Sequence, residues 1–202
     1  MELRHRRMSQ FGRRQLLLGA ASVAVTGLRA TSARAHASAG AVEPPQPAPA
    51  TKLALDDGSA TALPSLLKDR VTALQLIFTS CQATCPIQGA LFADAAKKLG
   101  DGNKAAQLLS ISIDPDRDTP AVLREWLKKF GSSPRWRAAQ PDKAQLEALT
   151  SFLKSKVPGP DPHTAQVYYF DRKARLVLRS VDFPPAADVV KSLAQLAGKP
   201  TK

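Results

Sequence analysis

Apolar runs and amphipathic stretches alternate along most of the chain. The run VTALQLIF at residues 71–78 is nearly continuous, and so is AAQLLSISID at residues 105–114. Such runs favour buried strands, because a strand covered on both faces has no side that must stay polar. Apolar residues recur at helical spacing in residues 87–100 and again in residues 141–156. These two stretches predict amphipathic helices that follow strands.

The stretch DTPAVLREWLKKFG predicts a helix from its ends as well as from its pattern. Thr119 suits the N-cap, because its hydroxyl can accept a hydrogen bond from a backbone N–H of the first turn. Pro120 suits the first helical position, where the missing N–H has no partner to lose. Two lysines stand in the last turn, and Gly131 suits the position just past the end.

The remaining patterns predict two hairpins, a weak strand and a final helix. They are LALDDGSATAL turning at Asp57-Gly58, the pair AQVYYFD and ARLVLRSVD, the weak strand RWRAA, and the helix PPAADVVKSLAQLAG. Strands and helices therefore alternate, and the late hairpin adds antiparallel pairing. We predict an α/β fold: a central mixed β-sheet flanked by helices, with an N-terminal β-hairpin.

Residues 1–37 have the three parts of an export signal. A basic region with the pair Arg13-Arg14 precedes an apolar run at residues 16–28, and Ala-x-Ala steps follow up to Ala37. The run is shorter than the roughly 20 residues of a spanning helix. We therefore expect a twin-arginine-like signal that is cleaved, with a general secretory signal as the alternative. The predicted location is the periplasm or the outer face of the inner membrane, and a retained signal could attach the protein to that membrane.

Composition and charge narrow the function classes. The stretch at residues 38–52 is rich in Pro and Ala and is predicted to be a linker, which leaves one domain at residues 53–198. The net charge is +12, but residues 1–37 carry seven arginines against Glu2, so the remainder has a net charge of +6. Because no basic cluster is interleaved with aromatic residues, nucleic-acid binding is not predicted.

Both cysteines of the chain, Cys81 and Cys85, lie in FTSCQATCPIQG, where the first long strand gives way to a helix. A structural disulfide between them would close a very short loop, and short loops gain least from cross-linking. A dithiol redox pair at a strand–helix junction is the thioredoxin arrangement, although that device has two intervening residues and this chain has three. The helix N-terminus is expected to lower the pKa of the Cys85 thiol.

A metal site is the third possibility. Besides His36 near the predicted cleavage site, His163 is the remaining histidine of the chain outside the signal's basic region. Two thiolates and one imidazole suit copper(I), or copper(II) with an added ligand, whereas zinc usually takes four protein ligands in a structural site. From its spacing alone, a lone histidine such as His163 is more typical of a surface or packing residue than of a metal ligand.

Three blocks of the chain resemble the Sco/SenC family of copper-binding thioredoxin-like proteins. They are LIFTSCQATCP, SISIDPDRDTPAVLREWLKKFG and DPHTAQVYYFDRKARLV, in the same order as in that family. The resemblance covers about residues 52–197 and implies a thioredoxin-like Sco domain. It implies that Cys81, Cys85 and His163 are copper ligands. Asp114 in the second block is expected near the site, unless it caps its loop.

The resemblance also implies a function. The expected activity is delivery of copper to the dinuclear copper centre of cytochrome c oxidase or to another cuproprotein, by a monomer. An alternative is a thiol–disulfide oxidoreductase that reduces cysteines of the oxidase subunit and forms a Cys81–Cys85 disulfide. A peroxide-reducing thiol enzyme is a further alternative. Arg117 and Asp118 could pair with each other and shape the loop that contains Asp114.

Overall fold

A computed structural model describes residues 39–100, 104–157 and 162–198. The predicted export signal at residues 1–37 lies outside these ranges. Within the described ranges, no helix is long and apolar enough to cross a membrane.

The described part of the chain contains eight strands and five helices. The strands are β1 (Gly40–Pro47), β2 (Lys52–Leu55), β3 (Ala60–Ala62), β4 (Val71–Ile77), β5 (Ala106–Ser112), β6 (Trp136–Pro141), β7 (Gln166–Phe170) and β8 (Arg175–Asp182). The helices are α1 (Leu63–Leu67), α2 (Thr84–Leu99), α3 (Pro120–Lys129), α4 (Lys143–Leu153) and α5 (Ala186–Leu196).

All eight strands form one mixed sheet in the order β1-β8-β7-β4-β5-β6-β2-β3. The strands β4, β5 and β6 are parallel to one another, and the pairs β4–β7, β7–β8, β8–β1, β6–β2 and β2–β3 are antiparallel. The predicted fold class is confirmed, including the N-terminal hairpin, which is β2–β3. The carboxyl ends of the parallel strands β4 and β5 lie next to each other, and the cysteines follow β4 at this end of the sheet.

Strand β4 supplies both layers of the core, because successive side chains of a strand point to opposite faces. Ala73 and Ile77 pack with apolar residues of α2, α3 and α5 on one face. Leu74 and Leu76 pack with residues of α1 and α4 on the other face. Every residue of β4 is buried, as its continuous apolar run predicts. The helix α3 likewise begins as predicted, with the Thr119 hydroxyl accepting from the Val122 N–H.

The predicted linker at residues 38–52 is wrong as a description of this segment. Its residues 40–47 form strand β1 at the edge of the sheet, paired with β8, and Val42 is buried. Prolines lack the N–H that a central strand needs, but an edge strand tolerates them because one of its sides has no partner. The register shift between Ala41 and Gln46 leaves the prolines at 44 and 45 outside the regular pairing.

Helix α2 begins earlier than its apolar pattern indicates. It starts at Thr84 rather than after Pro86, so Cys85 lies inside the first turn. A proline is compatible with this position, because the first four N–H groups of a helix have no partner within the helix. The position of this start determines which cysteine sulfur accepts hydrogen bonds from the first backbone N–H groups of the helix.

Two buried tyrosines make the stability of the domain sensitive to alkali. Burial raises the pKa of Tyr168 and of Tyr169 from the ordinary value of 10.0 to about 12. The folded protein therefore keeps both phenols neutral at a pH where the unfolded chain ionises them. Stabilisation from this source is complete below pH 10.0 and is lost as the pH rises toward 12.

We predict that the wild-type protein loses about 1 kcal/mol more unfolding free energy than Tyr169→Phe between pH 9 and pH 11, because Phe has no phenol to ionise. Urea unfolding followed by tryptophan fluorescence measures both slopes. Parallel decline of the two proteins would show that Tyr169 does not carry the effect.

Candidate metal centre

The two cysteines lie side by side at the junction of β4 and α2. They are not joined by a disulfide. Cys81 is half-buried in the connecting loop, whereas Cys85 in the first turn of α2 is fully buried. The Cys85 N–H donates to Cys81 Sγ over 3.4 Å, and the Thr84 hydroxyl lies 3.4 Å from the same sulfur. The first turn of α2 therefore contacts Cys81 Sγ through one backbone N–H and one hydroxyl group.

The two thiols consequently differ in acidity. Burial alone would raise the pKa of Cys81, but hydrogen bonds from the Thr84 hydroxyl and from the N–H groups of Cys85 and Ala83 lower it overall. Burial raises the pKa of Cys85 to about 12, although the Phe78 N–H donates to its sulfur over 3.4 Å. The prediction that the helix lowers the pKa of Cys85 is therefore wrong. The helix starts at Thr84, one residue before Cys85, so the Cys85 N–H donates to Cys81 and the pKa of Cys81 is the one that is lowered.

His163 is buried, with 5% of its surface exposed. Its Nδ1 lies 2.8 Å from the Thr164 carbonyl oxygen. A carbonyl oxygen accepts hydrogen bonds and cannot donate, so in the neutral ring Nδ1 holds the proton and Nε2 holds the lone pair. This tautomer is the one in which Nε2 can bind a metal.

Phe78 connects the histidine with the cysteines. Its ring meets the His163 ring edge-to-face, with the ring centroids 6.0 Å apart. Its backbone N–H donates to Cys85 Sγ. The imidazole and the buried thiol therefore contact the same residue, one through the Phe78 side chain and the other through its backbone.

These donors do not form a closed cluster in this conformation. Among residues 39–100, 104–157 and 162–198, no three side chains of His, Cys, Asp or Glu are grouped closely enough to hold a metal. The structure brings Cys81 and Cys85 together, and His163 contacts the ring of Phe78, the residue whose N–H donates to Cys85. The copper-ligand set of Cys81, Cys85 and His163 therefore stays a prediction, and its soft sulfur donors remain of the kind that copper(I) prefers.

A hydrogen-bond network holds the segment that carries His163. The Thr164 hydroxyl lies 2.6 Å from the Tyr168 hydroxyl, and the Thr164 N–H donates to the Ser155 carbonyl over 2.8 Å. His163 itself forms a short β-bridge with Lys156. These contacts join residues 155–156 to residues 163–164, next to the imidazole.

The loop after β5 differs from its predicted arrangement. Arg117 does not pair with Asp118; it donates to Asp114 over 3.2 Å, at the protein surface. The Asp114 N–H donates to Ser112 Oγ over 2.9 Å, so Asp114 shapes this loop. Asp118 is fully buried and accepts hydrogen bonds from Ser112 and Thr79. The predicted partner of Asp118 was Arg117, and its observed partners could not be found from the sequence, because Thr79 lies 39 residues away on another loop.

Comparison with known proteins assigns the domain. The sequence model described as SCO1/SenC matches residues 54–198. The chain belongs to the SCO1/SenC family. A SCO1 protein homolog from Bacillus subtilis is 38% identical over 74 residues, which are 37% of this chain and 38% of the homolog. The chain thus matches well under half the length of this relative.

Solved structures of Sco proteins share the fold. Bradyrhizobium japonicum ScoI with copper bound is 24% identical, with a TM-score of 0.62 over 74% of this chain and 99% of ScoI. BsSco, a member of the Sco family of cytochrome c oxidase assembly proteins in which a disulfide switch was identified, is 24% identical, with a TM-score of 0.62 over 79% of this chain and 95% of BsSco. The fold is therefore thioredoxin-like.

We predict that Cys81 of the reduced protein reacts with iodoacetamide at pH 7.5 at least about tenfold faster than Cys85, since it is more exposed and has more thiolate. Mass spectrometry of the two modified sites over time gives both rates. Thr84→Val should slow Cys81, because it removes the hydroxyl that stabilises the thiolate, while Gln82→Ala should leave the rate unchanged. Faster modification of Cys85 would contradict the assignment.

Proposed function

We propose that this SCO1/SenC protein is an exported copper chaperone that carries copper on Cys81, Cys85 and His163. The observation that carries the proposal is the pair of adjacent reduced thiols at the end of β4, with the imidazole of His163 in edge-to-face contact with the ring of Phe78. Structurally similar Sco proteins have been crystallised with copper bound, which supports copper as the cargo.

The donor atoms suit copper(I). Thiolates are soft ligands that favour copper(I), and imidazole is compatible with either oxidation state. Cys85 holds its proton at neutral pH, so copper binding releases that proton. The affinity for copper therefore increases as the pH rises. A Cys81–Cys85 disulfide would remove both thiolates, and oxidation of the pair would therefore prevent loading.

The different exposure of the two sulfurs provides a route for transfer. Cys81 is half-buried and is followed by exposed Gln82 and Ala83, whereas Cys85 is fully buried. A thiol of an acceptor protein can therefore reach the metal from the Cys81 side and replace that ligand first. We infer that copper leaves by stepwise ligand exchange, with Cys85 among the last ligands to be displaced.

The acceptor that fits best is the copper-binding subunit of cytochrome c oxidase or another cuproprotein. BsSco, which shares the fold, belongs to a family of cytochrome c oxidase assembly proteins, and this supports the assignment. The basic region and apolar run of residues 1–37 support export to the periplasm or the outer face of the inner membrane.

A thiol–disulfide reductase is the second candidate, and the unequal acidity of the thiols favours it. The Cys81 thiolate would attack a disulfide of the partner and form a mixed disulfide, releasing one partner thiolate. Deprotonated Cys85 would then attack Cys81 Sγ, which forms the Cys81–Cys85 disulfide and releases the second partner thiolate. Two electrons pass to the partner, and His163 takes no part.

The two candidates separate on His163. We predict that the reduced protein binds one copper(I) per chain and that Cys81→Ser and Cys85→Ser each abolish tight binding. His163→Ala should weaken copper binding at least about tenfold, because one of three ligands is lost. Anaerobic competition with a chromophoric copper(I) chelator measures the affinities. Gln82→Ala, in the same loop but not a predicted ligand, should bind like the wild type.

The same variants should be assayed for reduction of a model disulfide peptide. If the wild type binds no copper(I) and both wild type and His163→Ala reduce the peptide equally well, the chaperone proposal is wrong and the reductase is favoured.

A further inference from the structure

Asp118 is a fully buried carboxylate at the start of α3. Its Oδ2 accepts from the Thr79 N–H over 3.0 Å and from the Ser112 hydroxyl over 2.6 Å, and its Oδ1 accepts from the Thr79 hydroxyl. Within the described residues, no lysine or arginine forms an ion pair with it. Burying a charge is costly, and here three hydrogen bonds from two separate segments offset the cost.

The segment that Asp118 holds is the turn that carries Cys81. The Cys81 N–H donates to the Phe78 carbonyl over 3.1 Å, so residues 78–81 form a tight turn. Thr79 is the second residue of this turn, and both its backbone N–H and its hydroxyl bind the Asp118 carboxylate. One side chain therefore fixes the direction in which the chain leaves β4 toward Cys81.

Asp118 is itself held firmly, so it can act as an anchor. Its own N–H donates to the Asp114 carbonyl over 2.9 Å. The next residue, Thr119, is the N-cap of α3 and is fixed by its bond to Val122. The carboxylate thus links the turn after β4 to the hydrogen-bonded connection between β5 and α3.

We propose that Asp118 is a positioning residue for the cysteine pair: its carboxylate holds the turn at residues 78–81 against the β5–α3 connection and so sets the position of Cys81 relative to Cys85. The effect on copper rests on the proposed function. The effect on the turn does not, because it concerns the protein without metal.

The test compares Asp118→Ala with Asp118→Asn. Alanine removes all three hydrogen bonds. Asparagine can keep all three, because its amide oxygen accepts in place of Oδ2 and its NH₂ group donates to the Thr79 hydroxyl, which can also accept. Ser110→Ala is the matched control: it removes two buried bonds, from Gln75 and Trp136, on the same strand as Ser112 but away from the turn.

Two readouts are needed. In the metal-free protein, amide hydrogen exchange of the peptide at residues 78–85 should be at least about tenfold faster in Asp118→Ala than in the wild type. In Asp118→Asn and in Ser110→Ala, the exchange rate should stay within about threefold of the wild-type rate. In the copper-loaded protein, metal release to a chelator should follow the same order. Thr79→Val, which keeps the backbone bond and loses the hydroxyl bond, should give an intermediate exchange rate.

Three results would overturn the proposal. Equal exchange in Asp118→Ala and Ser110→Ala would show a general loss of stability. Equal impairment of Asp118→Ala and Asp118→Asn would show that the charge matters rather than the hydrogen bonds. If Asp118→Ala does not fold, an exchange rate in Thr79→Val equal to that of the wild type would refute the role of Asp118 in holding the turn. A wild type that binds no copper refutes the chaperone function, and the exchange measurements still decide the role of Asp118.

Discussion

The antiparallel pairing of β4 with β7 is the interaction on which the candidate site depends. Thr72 lies opposite Phe170 and Leu74 lies opposite Tyr168. Continuing this register beyond the strand ends brings the segment around Phe78 opposite the segment around Thr164, and the ring contact between Phe78 and His163 agrees with it. The pairing thus brings a histidine near cysteines that are about 80 residues away in sequence. Both strands are buried on both faces, so a one-residue register slip would exchange the side chains that enter the two core layers. The packing that fixes the fold therefore also fixes the site.

The same strand end gives the two cysteines different environments. Helix α2 starts at Thr84, and its first N–H groups and the Thr84 hydroxyl lie around Cys81. Cys85 faces the core and is kept protonated by burial. One thiol is therefore accessible and acidic, and the other is sequestered, which suits stepwise release of a metal and also suits attack on a disulfide. This asymmetry is why the geometry supports both candidate functions and why His163 has to decide between them.

Local signals in the sequence predict the fold well. The continuous apolar run of β4 and the capping signals of α3 correspond to the observed elements. Strand β1 could not be predicted in this way, because its prolines conceal a strand that is stabilised by pairing at the sheet edge rather than by propensity. The five-residue helix α1 is too short to show a helical period.

Features of the site that depend on tertiary contacts were beyond sequence patterns. The expected acidity of Cys85 was wrong because the exact start of α2 and the burial of that thiol decide it. The role of Asp118 is not visible in sequence, since its partner Thr79 is 39 residues away and lies on another loop. The contact of His163 with Phe78 likewise comes from sheet register. In the sequence, only the family resemblance linked His163 with the two cysteines.

Copper K-edge X-ray absorption of the anaerobically loaded protein can identify the ligand atoms of the metal. We expect copper(I) bound by two sulfur atoms and one imidazole nitrogen, with the imidazole scattering lost in His163→Ala. A spectrum with two sulfur ligands and no imidazole, identical in the wild type and in His163→Ala, would contradict this expectation.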